Sequence, residues 1–371
     1  YVINSIEDLV FFSYDVRNGN SYEGKTVKLG KNLDFNSVKS YSDAFRTDYG
    51  KYGYDGELKS KLTSGEGFIP IGSIQNKTDS TIKEGNFAGT FDGNNFYISN
   101  SYMNKDVTGI SDAVRIAFFG RYLYGEIKNL RLVNVDYTLI NSDFEGGVSG
   151  LVTLSMEGSK ISNCYVSGNI KQTSTGKGNV NCSGIVTYNK GTIEGCINWA
   201  NIQGEISNAN SGCYLGGIAV NHENSYLEKC YNKGQLLGKG ENGKFQIGGI
   251  ARLTGTKDNQ INEVYNCGII DVEITNNSKQ ISIGGIVGGA SNGCNSEIKN
   301  TYNTGKITVN GLDKNTVNVI GIGGIIGGKE NTVNRMIIQN SYNVGDFDMG
   351  TFSNKNCIGE ILGIDRKENT N

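Results

Sequence analysis

The sequence predicts an all-β chain wound as a parallel β-helix, or solenoid, of about seven or more rungs behind an N-terminal amphipathic helix. Three observations carry this expectation. A cassette of the form Gly-Gly-Ile, then Ile-x-Asn-x-Tyr-Asn-x-Gly, returns along the last two-thirds of the chain. A period of a few dozen residues marks stacked units that bury their apolar faces on one another. Between the glycines the vocabulary is Ile, Val, Tyr and Thr at period two, the pattern of short strands. After the first twenty residues no amphipathic helical stretch follows, and the one proline, Pro70, lies outside the repeats.

The elements follow in order. Asn4 or Ser5, then Glu7 and Asp8, then Leu9, Val10, Phe11, Phe12 and Val16 spell a capped amphipathic helix over residues 5–17. A solenoid end exposes an open core and an unpaired sheet edge, so this helix is expected to act as a lid. Val27-Lys28-Leu29 and Leu33-Asp34-Phe35 alternate as strands. Residues 36–66 are polar and rich in Tyr, Ser and Lys, and are expected to form an insertion. Rung-like sequence resumes at Phe68–Gly72 and Phe87–Asn94, with a tight turn at Asp92-Gly93. The organisation expected is thus a cap with irregular first rungs over 1–100 and one continuous repeat solenoid over 101–371.

Within the repeats, the third cassette positions are Asn129, Asn163, Gly195, Lys229, Glu263, Asn300 and Asn340, separated by 34, 32, 34, 34, 37 and 40 residues. Rungs stack at about 4.8 Å, so equivalent residues form columns. One column, Leu130, Cys164, Cys196, Cys230, Val264, Thr301 and Ser341, is small and mostly apolar and should face inward. Val148, Ile185, Ile218, Ile250, Ile286 and Ile325 should form a β-branched core ladder. Asn198, Asn232, Asn266, Asn303 and Asn343 could link their amides from rung to rung, and Asn also tolerates the left-handed backbone of tight corners. Beside the inward cysteine column, alternation places Tyr165, Tyr231, Tyr265, Tyr302 and Tyr342 outward, with Ile197 interrupting and Trp199 nearby.

The run Phe87–Asn94, Ile6–Leu9 with Val27–Leu29, and the cassettes at Gly284–Gly288 and Gly323–Gly327 resemble bacterial GLUG-motif repeat proteins. The likeness extends from about Ile3 to Gly363. It implies a right-handed coil, as crossover chirality also does. It also implies a secreted or cell-wall-anchored, adhesin-like protein of a Gram-positive bacterium, similar to repeat regions that accompany IgA-type metallopeptidases. The repeats of that family accompany catalytic domains rather than perform chemistry.

Composition narrows the function classes. A net charge of −2 with 35 basic and 37 acidic residues leaves no electrostatic footprint for nucleic acid. No apolar stretch is long enough to span a membrane. With no initiator Met and no signal peptide, the chain is expected to be part of a longer extracellular protein, and monomeric. The eight cysteines are expected to be free, buried thiols, and no metal or cofactor is expected, because no C-x-x-C or C-x-x-H pair occurs.

His222, the only histidine, rules out H-E-x-x-H and reads as a solvated loop residue. Asp34, Asp92, Asp143, Glu145 and Glu157 are the carboxylates that could serve a polysaccharide lyase or glycosidase, which needs a pair. Surface charge is the plainer reading of all five. The tyrosine column with Trp199 is the leading binding candidate, since exposed rings stack on sugar faces or anchor a protein. The competing reading is a ladder that only holds rungs in register. Three functions follow: a non-catalytic surface solenoid binding a host glycoprotein or polysaccharide, an accessory region positioning substrate for a metallopeptidase, or a carbohydrate-cleaving β-helix.

Overall fold

The computed structural model describes residues 1–38, 49–74, 85–241, 243–255, 258–275, 280–291, 293–311, 320–329, 335–350 and 357–365. Of the expected insertion at 36–66, residues 39–48 lie outside the described residues.

Thr192–Glu194, Ile197–Ile206, Gly212–Gly216 and Ala219–Glu223 make one turn of the coil, and Tyr226–Glu228 begins the next. Each turn therefore contributes to four sheets, with 10, 14, 8 and 8 strands, and every strand pairing described is parallel. The chain is an all-β parallel solenoid. The first sheet opens with Val2–Ile3, Thr26–Leu29 and Thr90–Asp92, so these N-terminal strands already pair into the stack. Its inward column runs Val27, Phe91, Ile127, Ile161, Ile193, Leu227, Ile261, Ile298 and Ile338 without a break.

The amphipathic helix spans Ile6–Arg17, with Ser5 as its N-cap accepting from the Asp8 amide at 3.1 Å. Asp8 reaches back to the Asn4 amide at 2.8 Å, completing a reciprocal cap. Phe12 packs among Tyr22, Phe87 and Phe91, while Phe11, expected on the apolar face, is 41 % exposed. The stretch after residue 48 is not a polar excursion. It folds as a short helix at Leu58–Thr63 and buries Tyr49, Tyr52, Tyr54, Leu58 and Leu62, because its apolar residues are spaced to share one face.

The cassette has one mechanical meaning. Asn198, Asn232, Asn266 and Asn303 are fully buried, and each side-chain amide donates to the next Asn carbonyl oxygen at 2.7–2.8 Å. The same amide also donates to the main-chain carbonyl two residues on, at 2.9–3.1 Å for these four. The side-chain oxygen accepts from the main-chain amide of that same residue at 3.0–3.2 Å. Asn232, Asn266 and Asn303 thus use both donors and both acceptor positions. The second glycine of each pair explains its partner. A Cβ on Gly184, Gly217, Gly249, Gly285 or Gly324 would strike Asn198, Asn232, Asn266, Asn303 or Asn343 and the next coil's carbonyl. Glycine and asparagine are two halves of one contact.

Two column assignments change. Val148 pairs with Cys182, and the residue before Ile185 in its column is Leu151, so the ladder reads Leu151, Ile185, Ile218, Ile250, Ile286, Ile325. Gly146-Gly147 has the cassette's spelling three residues too early; the corner uses Gly150, where a Cβ would overlap the Gly184 carbonyl. The left-handed corners belong not to the Asn198 column but to the third cassette position. Asn129, Asn163, Lys229, Glu263, Asn300 and Asn340 have φ of 49–53° there, and Gly195 has 62°. Cys164, Cys196, Cys230, Val264 and Thr301 are buried as an inward column. All eight cysteines are free; Cys267 alone is exposed.

Asn266→Ala removes four hydrogen bonds and strands the buried amide and carbonyl of Gly268. Each unsatisfied buried group costs about 1–3 kcal/mol, so urea unfolding should show a loss of at least about 3 kcal/mol. An unchanged midpoint would mean the amide ladder is ornamental to stability.

Candidate functional site

The outward column beside the asparagine ladder is set by strand register: Tyr97, Arg131, Tyr165, Ile197, Tyr231, Tyr265, Tyr302, Tyr342. From Tyr231 onward the rings stack. Tyr231–Tyr265, Tyr265–Tyr302 and Tyr302–Tyr342 have centroids 4.6, 4.9 and 5.3 Å apart and planes within 8°. Their faces therefore cover one another, and Tyr265 and Tyr302 have only ring edges left for a ligand. Burial, with its stacked neighbours adding to the effect, pushes the Tyr265 phenol up to about 12, so it stays neutral at ordinary pH.

The column is interrupted at Ile197. In register, Tyr165 and Tyr231 face each other across that one coil, about 9.6 Å apart at twice the strand spacing. Tyr231 stacks on Tyr265 by one face only, and Lys233 lies over its ring at 5.8 Å. Trp199, on the same strand and the same side as Ile197, is 50 % exposed and lies 6.5 Å from the Tyr165 ring, tilted 45° to it. Together these residues line a groove of about 530 Å³ with Ile197 at its base. Arg131 sits over Tyr165 at 5.4 Å, and Lys233 over Trp199 at 4.8 Å. The sequence singled out Tyr165, Trp199, Tyr231, Tyr265, Tyr302 and Tyr342 alike; the structure brings the first three to one groove and closes the next two into a stack. Arg131 takes the tyrosine position of its own coil, and neither it nor Lys233 is singled out by residue type in the sequence.

The carboxylates stand apart from this groove. Asp34 accepts from the Asn36 amide and Asn100, and Asp92 from the Asn94 amide and Asn129. Asp143 accepts from the Lys177 amide, and Glu157 is exposed in a turn. Glu145 pairs with Arg115 at 2.8 Å and accepts from Asn181 and Tyr188. Burial pushes the Tyr188 phenol upward, and Arg115 lies 4.9 Å from its ring. No hydrogen bond or ion pair brings two of the five carboxylates together.

His222 is not a solvated loop residue. It lies on the strand Ala219–Glu223 and is fully buried. Nε2 donates to the Gln260 carbonyl at 3.2 Å, and Nδ1 accepts from Asn189 and Ser225, each at 3.1 Å. Alternation turns this strand position inward, which a loop assignment could not foresee. Burial among neutral partners lowers its pKa to about 4.

No family model and no curated protein matches the chain. Among solved structures, the chain is similar to a candidate immunoglobulin A1 protease from Bacteroides ovatus, with a TM-score of 0.51 and 15 % identity. That match covers 92 % of this chain and 84 % of the other. At this identity the likeness shows a shared fold and nothing finer. Among the described residues, no helix is long and apolar enough to cross a membrane.

The histidine makes a pH prediction. The unfolded imidazole takes up a proton near pH 6.5 and the folded one only near 4, so unfolding binds a proton between those values. Stability should fall as pH drops from 6.5 to 4, by roughly 3 kcal/mol in the limit, and level off below. The sole histidine gives a single set of imidazole resonances, and NMR titration should place its midpoint near 4. A midpoint near 6.5 would contradict its burial.

Proposed function

We propose that this chain is a non-catalytic, extracellular surface solenoid that binds saccharide chains of a host glycoprotein or polysaccharide at the break in its tyrosine column. The observation that carries the reading is a groove in which Tyr165, Tyr231 and a half-exposed tryptophan gather around Ile197. Flat apolar sugar faces stack on such rings, and the polar edges of the sugar remain in water. The continuous stack beyond the break serves register rather than recognition, since its faces are already occupied.

The cassette likeness to GLUG-motif proteins supports a surface role. The fold shared with the candidate immunoglobulin A1 protease favours a second reading. In it, the groove holds a glycoprotein chain for a peptidase domain encoded elsewhere in the same gene. The two readings make the same demand on this groove and differ in what the full-length gene contains.

Glycan-array binding followed by calorimetry tests the proposal. Trp199→Ala should lower affinity for the best glycan by about tenfold or more while leaving thermal unfolding nearly unchanged, since the side chain is half exposed. Tyr265→Ala should do the reverse, costing about 1–3 kcal/mol for its two stacked contacts and sparing affinity. A glycan bound equally by wild type and Trp199→Ala would place recognition elsewhere.

A further inference from the structure

The tyrosine column lacks a ring at Arg131 and at Ile197, and the charges around the Ile197 position have a sign. Tyr165 and Tyr231 are separated by two coil repeats where every stacked neighbour is separated by one. The rings beyond repeat at 4.6–5.3 Å, so the gap over Ile197 admits one flat ring at the column's own spacing. Arg131 stands one coil before Tyr165, and Lys233 is in register with Trp199 one coil after it. The two cations thus bracket the slot along the solenoid axis.

Neither cation has a carboxylate partner among the described residues, and none of the residues lining the groove is acidic. Elsewhere on this surface lysines are matched: Lys160 with Glu194 at 3.0 Å, Lys239 with Glu273 at 3.0 Å, Lys306 with Asp348 at 2.8 Å. At the slot, positive charge meets only aromatic rings: Lys233 lies 4.8 Å from Trp199 and 5.8 Å from Tyr231, and Arg131 5.4 Å from Tyr165. Cations held over rings keep their outer sides free for an anion.

We infer that the slot selects an acidic saccharide, one whose pyranose ring stacks over Ile197 between Tyr165 and Tyr231 and whose carboxylate or sulfate reaches Arg131 or Lys233. This rests on the saccharide-binding reading above and adds the class of sugar. It also gives the odd residue of the column a role. Ile197 is the small side chain that leaves room for the guest ring.

The test is calorimetry on the purified chain with four probes: tetragalacturonate, its methyl ester, a neutral galactose oligomer and a sulfated galactose oligomer. An acidic probe should bind about tenfold or more tighter than its neutral counterpart, with affinity falling as salt rises. Whether the uronate or the sulfate wins identifies the anion. Arg131→Gln or Lys233→Gln should lower affinity for the acidic probe about tenfold more than for the neutral one. Ile197→Tyr completes the column with a residue its neighbours already carry, so it should fold at least as stably as wild type while abolishing binding. Equal affinity for acidic and neutral probes, lost in Trp199→Ala, would overturn the acidic preference and leave saccharide binding standing. Undiminished binding by Ile197→Tyr would overturn the slot itself. Failure of every probe and of the glycan array would overturn the saccharide reading, and this inference with it.

Discussion

The close contact between a glycine of one cassette half and an asparagine of the other is the constraint from which the rest of the molecule follows. Only a residue without Cβ lets the corner at Gly217, Gly249 or Gly285 approach the amide column and the next coil's carbonyl. Only a side chain with two donors and one well-placed oxygen can link to the coil beyond and to its own turn at once. Asn232, Asn266 and Asn303 do both while fully buried. A buried amide with every group satisfied is a register device, because a slip by one residue would turn it to the opposite face and break its bonds.

That register has a consequence one residue away. Because Asn198 is locked over Asn232, Ile197 is locked between Tyr165 and Tyr231 on the outer face. The amide ladder begins in the same coil that interrupts the aromatic column; the preceding coil has Val166 in the asparagine's place. An interior column holds the coils in phase, and an exterior column, held in phase by it, has an aliphatic residue at Ile197 where its neighbours carry rings.

Most of the fold was legible because a repeat states its own columns. Ile185, Ile218, Ile250, Ile286 and Ile325, the cysteine column and the asparagine ladder could all be aligned by spacing alone. Legibility failed where the spelling was repeated without the geometry, as at Gly146-Gly147. It failed too where a strand was mistaken for a loop, as at His222. The Arg115, Glu145, Asn181 and Tyr188 cluster was invisible for a different reason. Its members come from separate coils at positions no cassette marks, and only stacking brings them together. The aromatic column could be written down from the sequence, but not the fact that its rings cover one another's faces. That fact moves the candidate site from the whole column to the gap at Ile197.

The most direct measurement is hydrogen exchange followed by NMR at the side-chain amides of Asn232, Asn266 and Asn303 and the backbone amides of Gly234, Gly268 and Gly305. If the ladder holds the coils in phase, these protons exchange only through global unfolding, as slowly as the best-protected core amides. Exchange at the rate of exposed amides, in a chain that is otherwise folded, would contradict the account.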